Sequence, residues 1–187
     1  MHGPLAGRRL GTPTNLEQTT VAQALAAYPD LAVAISDRPI ERENRWAPLG
    51  RVPVIGDAFR RTMSPEDTRL PTMEIGIGVW GADSTAQFYP MRAVSEAGDI
   101  VIGTFAGRRI AVYFDPGARA MAVLYTRARS AEWVEGTLRF STGEVVRNGV
   151  LFDAGGRRIP LERPLQQFTR WYGWALTFPK TTVEDGH

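Results

Sequence analysis

The sequence has no cysteine. Disulfides, thiolate nucleophiles and cysteine-ligated metals are excluded at once. Histidine is nearly as scarce, with His2 and His187 the only two, one at each extreme end. Chain ends fray, so neither position suits a catalytic base. A Ser-His-Asp triad or a histidine-rich metal site inside the fold is not expected, and no cofactor is expected either. Lysine is almost missing: all but one of the 22 basic residues are arginine, the exception being Lys180. Codon usage in a GC-rich genome accounts for this plainly, although arginine also brings a planar fork of donors suited to carboxylate and phosphate. There is no run of like charge, and 20 acids hold the formal net charge to +2, so a nucleic-acid partner is not expected. No apolar run approaches the roughly 18 residues needed to cross a bilayer. No basic segment followed by an apolar one opens the chain after Met1, so no signal peptide is visible and the compartment stays open.

What remains is an ordinary folding composition. The chain has 187 residues, 43% of them hydrophobic and 22% charged, enough for one domain with a sizeable core. Residues 1–187 are read as a single domain.

A short pattern occurs near each end. Gly7-Arg8-Arg9-Leu10 is followed by Thr19-Thr20 and a run to Tyr28-Pro29. Gly156-Arg157-Arg158-Ile159 is followed by Thr169 and a run to Phe178-Pro179. In the first copy, Thr19 or Thr20 is a candidate N-cap and alanine-rich residues 22–27 favour helix. Pro29 takes Tyr28 out of helical geometry and ends it. Val21, Ala24, Leu25 and Tyr28 share one helix face. Leu31 to Ile35 then reads as a short buried strand. In the second copy Thr169 is the candidate N-cap, Trp171, Trp174 and Phe178 form the stripe that packs on a sheet, and Pro179 ends the helix. The two copies read as matching struts rather than as paired sites.

Residues 36–72 form a long irregular segment with prolines at 39, 48, 53, 65 and 71, wrapping the surface or linking two parts. Ser64-Pro65-Glu66-Asp67 is a candidate start for one helical turn. From residue 73 the pattern is antiparallel β. Glu74–Trp80 turns through Gly81-Ala82-Asp83 into Ser84–Tyr89. Asp99–Gly103 is a further strand, and Arg109–Phe114 turns at Asp115-Pro116-Gly117 into Ala120–Tyr125. Residues 137–140, 144–147 and 149–152 continue the meander, and Thr181–Glu184 is a last edge strand. The expected fold class is α+β, mainly antiparallel, as a curved sheet or barrel-like, with two short helices.

Several of these motifs together resemble a known family. They are Gly3-Pro4-Leu5-Ala6-Gly7-Arg8-Arg9-Leu10, the Thr-to-Pro helix, Asp67-Thr68-Arg69-Leu70-Pro71, the hairpin from Gly78-Val79-Trp80-Gly81 to Phe88-Tyr89-Pro90, and Trp171-Tyr172-Gly173-Trp174 with Phe178-Pro179-Lys180-Thr181. Their order over most of the chain is similar to that in a prokaryotic domain-of-unknown-function family, number 3179. The resemblance is to the second half of that family's longer members. Their Cys-Pro-x-Cys-Gly motif is absent, with Phe114-Asp115-Pro116-Gly117 the nearest equivalent. The family implies no established reaction.

Candidate chemistry is thin. Gly-Arg-Arg-(Leu/Ile) occurs at 7–10, 107–110 and 156–159. Paired guanidiniums at these places would grip an anion. The plainer reading is a turn glycine, a solvent-facing arginine and an aliphatic strand start, and it is preferred. Asp67, Glu74, Asp99, Asp115 and Asp153 are the carboxylates available for acid/base work, but Asp115 and Asp153 sit where aspartate caps turns. Trp46 and Trp133 stand among charged residues and are the candidate interface residues, with covering the rim of a sheet as the alternative. The function expected is a non-catalytic interaction or accessory subunit with a protein partner. The alternative is a small-ligand binding protein, or a carboxylate-based enzyme, with a pocket in the curved sheet.

Overall fold

The structure, a computed structural model, describes residues 14–35, 37, 55–63 and 65–184. Trp46, His2, His187, the first Gly-Arg-Arg piece and most of the 36–72 segment lie outside these residues.

The centre of the fold is the meander of β3 (Ile100–Phe105), β4 (Arg108–Asp115) and β5 (Ala120–Tyr125), three antiparallel strands in that order. Its β4–β5 turn follows the expected chemistry: Asp115 Oδ1 accepts from the backbone N–H of Gly117 at 2.8 Å and of Ala118 at 3.1 Å. Successive side chains of a strand point to opposite faces. In β4, Ile110 and Val112 enter one core and Ala111 and Tyr113 enter another, so this strand is buried on both sides.

A second sheet packs on the Ile110 face. It contains the hairpin of β1 (Ile75–Trp80) and β2 (Ala86–Pro90), whose inward residues Ile77, Val79 and Tyr89 meet Val112, Met121 and Val123. The helix α3 (Met91–Glu96) follows β2 directly and adds Val94 to this core. The third sheet packs on the Tyr113 face. It is the antiparallel run of β6 (Ala131–Val134), β7 (Thr137–Phe140), β8 (Val145–Arg147) and β9 (Val150–Phe152). Leu138, Phe140, Val146 and Leu151 form its inner side.

The outer face of the β1–β2 hairpin explains its glycines. Gly76 and Gly78 alternate with Ile77 and Val79, and a Cβ on Gly78 would collide with the indole of Trp174. Room is thereby left for α4 (Trp171–Thr177), which buries Trp171, Trp174 and Ala175 against Phe88 and Ala86. The expected stripe of the last helix is thus present, with its centroids 5.2 Å (Trp171) and 6.0 Å (Trp174) from Phe88. Residues of three widely separated segments meet here, since Leu70, Trp80, Phe88, Trp171, Trp174 and Phe178 belong to one cluster. Arg69 closes it from outside. Its guanidinium pairs with Asp67 at 2.7 Å, donates to the Thr181 carbonyl at 2.6 Å and lies 5.1 Å from the Trp171 ring.

The α+β class is present, mainly antiparallel, and among the described residues it takes the form of three separate sheets with no closed barrel. Four local expectations are corrected. Thr169 does not cap the last helix. It lies in β10 (Leu165–Arg170), opposite Gly76 of β1, and helix begins at Trp171 with Arg170 at the cap position. A single threonine before a helical stripe does not reveal a strand that runs straight into the helix. The expected helical turn at Ser64-Pro65 is displaced: helix occupies α2 (Asp57–Arg60) and the 3-10 turn Arg61–Met63, with Pro65 after it. Pro65 here acts as a stop rather than a start. Leu31 to Ile35 form no strand, and Leu31, Val33 and Ile35 are exposed. The run is apolar enough for a strand but meets no sheet edge among the described residues. The first helix, α1 (Val21–Ala27), exists and is capped by Thr20, yet Val21, Leu25 and Tyr28 face solvent while Gln23 is buried. The two terminal helices are therefore not matching struts. The last edge strand is β11 (Thr182–Val183), and it runs parallel to β2.

Two sheets are stitched edge to edge by a side chain. Gln166 of β10 is buried, and its amide bonds both backbone groups of Val123 on β5: Val123 N–H donates to Oε1 at 2.7 Å and Nε2 donates to Val123 O at 3.0 Å. Replacing it, Gln166→Leu, keeps the volume but orphans the buried Val123 N–H. A loss of about 2 kcal/mol is expected in urea unfolding, and a loss near zero would show that the amide is dispensable. A second outcome concerns acid. The side-chain hydrogen bond from Arg69 is the main cause that holds Asp67 below the usual carboxylate range. A depressed folded pKa contributes stability above the unfolded value, and the contribution disappears as pH falls through the folded one. Asp67→Asn should therefore lose less stability than the parent between pH 5 and pH 2, by under about 1 kcal/mol because the pair is solvent-screened. Thermal unfolding across that range reads it.

Candidate functional site

The polar groups of the molecule converge beneath its N-terminal segment. Residues 14–28 cross the junction of all three sheets and are held there by side-chain amides and charges. Asn15 donates from Nδ2 to Pro164 O and accepts from Gln166 N–H, both at 2.9 Å, like a neighbouring strand residue on the edge of β10. Gln23 closes a capping box with Thr20: the Gln23 N–H donates to Thr20 Oγ1 at 3.2 Å and Gln23 Oε1 accepts from Thr20 N–H at 3.3 Å. Its Nε2 then donates to Asp115 Oδ2 at 2.9 Å, tying the helix to the β4–β5 turn. Arg158 donates to the Ala27 carbonyl at the other end of α1.

Under this segment lies a narrow cavity of about 50 Å³, bordered by Glu17, Gln23, Tyr113, Asp115, Arg163 and Gln166. A wider groove of about 480 Å³ adjoins it and shares Glu17, Tyr28 and Arg163. Arg163 is the charged floor of both. Its side chain is 10% exposed, against 40% for Glu17, whose Oε1 lies 3.0 Å from Arg163 Nε. Arg163 Nη1 donates to Val123 O at 3.0 Å. Burial alone would lower the arginine's pKa, but Tyr113 and Glu17 outweigh it and the guanidinium keeps its charge. Burial pushes the hydroxyl of Tyr113 up, against the pull of Arg163. The site can therefore recognise negative charge in a sheltered place. Its two carboxylates, Glu17 and Asp115, lie against Arg163 and Gln23 respectively.

The carboxylates singled out in the sequence are spread over the molecule. Asp67 pairs with Arg69. Asp99 accepts from Ser95 Oγ at 2.9 Å. Asp115 serves its turn and Gln23. Asp153 accepts from the backbone N–H of Gly155 and Arg157, the latter being the main cause that holds its carboxyl below the usual range. Glu74 is half-buried at the start of β1, and its carbonyl accepts from Trp171 N–H. In the two described Gly-Arg-Arg pieces the glycines have positive φ, 76° at Gly107 and 78° at Gly156. Arg108 pairs with Glu162 at 2.7 Å over the ring of Tyr125, Arg157 pairs with Asp153, and Ile110 is buried. Trp133 is half-buried on β6. Its ring lies edge-on to Tyr113 at 6.2 Å and its Nε1 is 3.4 Å from Asp99 O. Trp46 lies outside the described residues.

Arg163, Glu17, Gln23 and Gln166 were not singled out from sequence. Only Gln23 carried a legible signal, the spacing Thr20-x-x-Gln23 of a capping box. Among the described residues no group of three His, Asp or Glu side chains is arranged to hold a metal ion. Nor is any helix among them long and apolar enough to cross a membrane. In comparisons with known proteins, no family model, no curated protein and no solved structure matches the chain.

The capping and docking roles of Gln23 separate local from global stability. Gln23→Ala should speed amide exchange and proteolytic cleavage within residues 14–28 about tenfold, the loss of a cap and one buried bond. Exchange in β4 and β5 should stay unchanged. Equal acceleration in both places would mean that the segment and the sheets unfold together.

Proposed function

We propose that the protein is a non-catalytic interaction subunit that docks a protein partner through the outward face of residues 16–35. One observation carries this reading. Leu16, Val21, Leu25, Tyr28, Leu31, Val33 and Ile35 are all exposed, with Leu16 at 88% and Ile35 at 85%. Single exposed apolar side chains are ordinary, but a run of them along one segment is the mark of an interaction surface. Val21, Leu25 and Tyr28 have the i, i+4, i+7 spacing by which a helix fills an apolar groove of its partner. The segment is held from below by Asn15, Gln23 and Arg158, so the apolar face is presented on a fixed support. Asp67, Asp115 and Asp153 are engaged in turns and ion pairs, which also favours binding over catalysis. The proline-rich 36–72 segment and Trp46 follow this face directly in sequence and extend the same reading.

Val21→Glu with Leu25→Glu places charge on the face without touching the core. In extracts of the source cells, the parent chain of 20.6 kDa should sediment in a larger assembly, and the double variant should sediment at its own mass. Unchanged thermal unfolding of the variant verifies its fold. A parent chain that sediments alone, or a variant that stays in the assembly, would overturn the reading.

A further inference from the structure

The groove floored by Arg163 has a chemistry that the apolar face does not use. We propose that it binds a small organic monocarboxylate, whose carboxylate takes the place Glu17 holds in the structure. This inference needs the groove and not the protein partner.

The first support is an unsatisfied donor. Burying a guanidinium is costly unless its charge is paired and its N–H groups are bonded. Nη1 is bonded to Val123 O. Nε is fully buried and has no hydrogen-bond acceptor among the described residues. Glu17 Oε1 lies 3.0 Å away but off the N–H direction, so it neutralises the charge without satisfying the donor. An aligned carboxylate would do both, and the planar fork of arginine is shaped for one.

The second support is the origin of Glu17. It comes from the segment laid over the sheets, not from the sheets themselves, and its side chain is much more exposed than that of Arg163. Turning it out to solvent costs little burial, and an incoming carboxylate restores the charge pair. Asp115, the other acid bordering the small cavity, is fixed by Gln23 and by its own turn. The third support is the space. The groove of about 480 Å³ lies within the usual range for small-molecule sites. Its walls include Val150, Leu151, Ile159 and Leu161, with Arg158 as a second cation. One buried cation, a second beside it and aliphatic walls suit a ligand with one carboxylate and an apolar body.

Benzoate is the probe. Calorimetric titration of the full chain should show saturable binding at one site. Glu17→Gln removes the internal competitor and should tighten binding about tenfold, as expected when a tethered rival group is lost. Arg158→Gln should weaken it several-fold, and Arg163→Gln should abolish it. Because Arg163→Gln also disturbs Val123, the Glu17 and Arg158 variants decide the matter. Benzylamine, of similar shape but opposite charge, should not bind. The Val21→Glu, Leu25→Glu protein should bind benzoate like the parent, which separates this site from the docking face. No saturable binding by the Glu17→Gln protein, or equal affinity of that variant and the parent, would overturn the proposal.

Discussion

The side-chain amide of Gln166 stands in for a strand residue, and the packing of the sheets rests on it. β5 is the last strand of its sheet, so its outward backbone groups need partners where no strand follows. Residues 162–166 supply them piecemeal. Glu162 O accepts from Tyr125 N–H, Arg163 donates to Val123 O, and Gln166 takes both groups of Val123. The chain then enters β10 and pairs with β1. One short segment thereby closes the edge of the central sheet and continues as the edge of the next. Asn15 repeats the device one layer further out, on β10 itself. Side-chain amides fit this task because they carry the same donor and acceptor as a peptide group.

This arrangement also explains why the N-terminal segment is turned the unexpected way. Its underside must meet a junction rich in backbone carbonyls, turn carboxylates and arginine, so amides and a carboxylate face inward. The apolar residues are left for the outside. Hydrophobic burial drives most helices onto sheets with their stripe inward, and α4 obeys this with Trp171 and Trp174. In α1 the inward position belongs to Gln23, and the stripe is free to meet another surface.

Much of the fold was legible in the sequence. Alternation located β1, β2, β4 and β5, turn chemistry located Asp83 and Asp115, and the tryptophan spacing located α4. What was not legible shares one property: its partners lie far along the chain. β10 has the polar pattern Gln166-Gln167, which reads as a loop until Val123 and Asn15 are placed beside it. β6 was hidden because Trp133 stands between glutamates, although its ring packs edge-on to Tyr113. Periodicity predicted a common face for Val21, Leu25 and Tyr28 correctly, but periodicity carries no information about which way the face turns. The candidate site was hardly legible at all. Arg163 is one arginine among many in the sequence, and only its burial at a three-sheet junction sets it apart.

The pairing of β10 with β1 has a consequence for how the chain is made. The central meander and the third sheet are built from neighbouring segments, so they can close early in synthesis. The hairpin of β1 and β2 can pair early too, but its sheet stays incomplete because β10, α4 and β11 all come from residues 165–183. Until residues 165–183 emerge, Gly78 faces no indole and Val123 on the edge of β5 lacks the amide of Gln166. A ribosome stalled before that point would hold a half-covered sheet with open strand edges, the form most prone to aggregate. Residues 165–170 thus follow the strands whose edges they cover, pairing with β1 and bonding Val123 of β5 in one step.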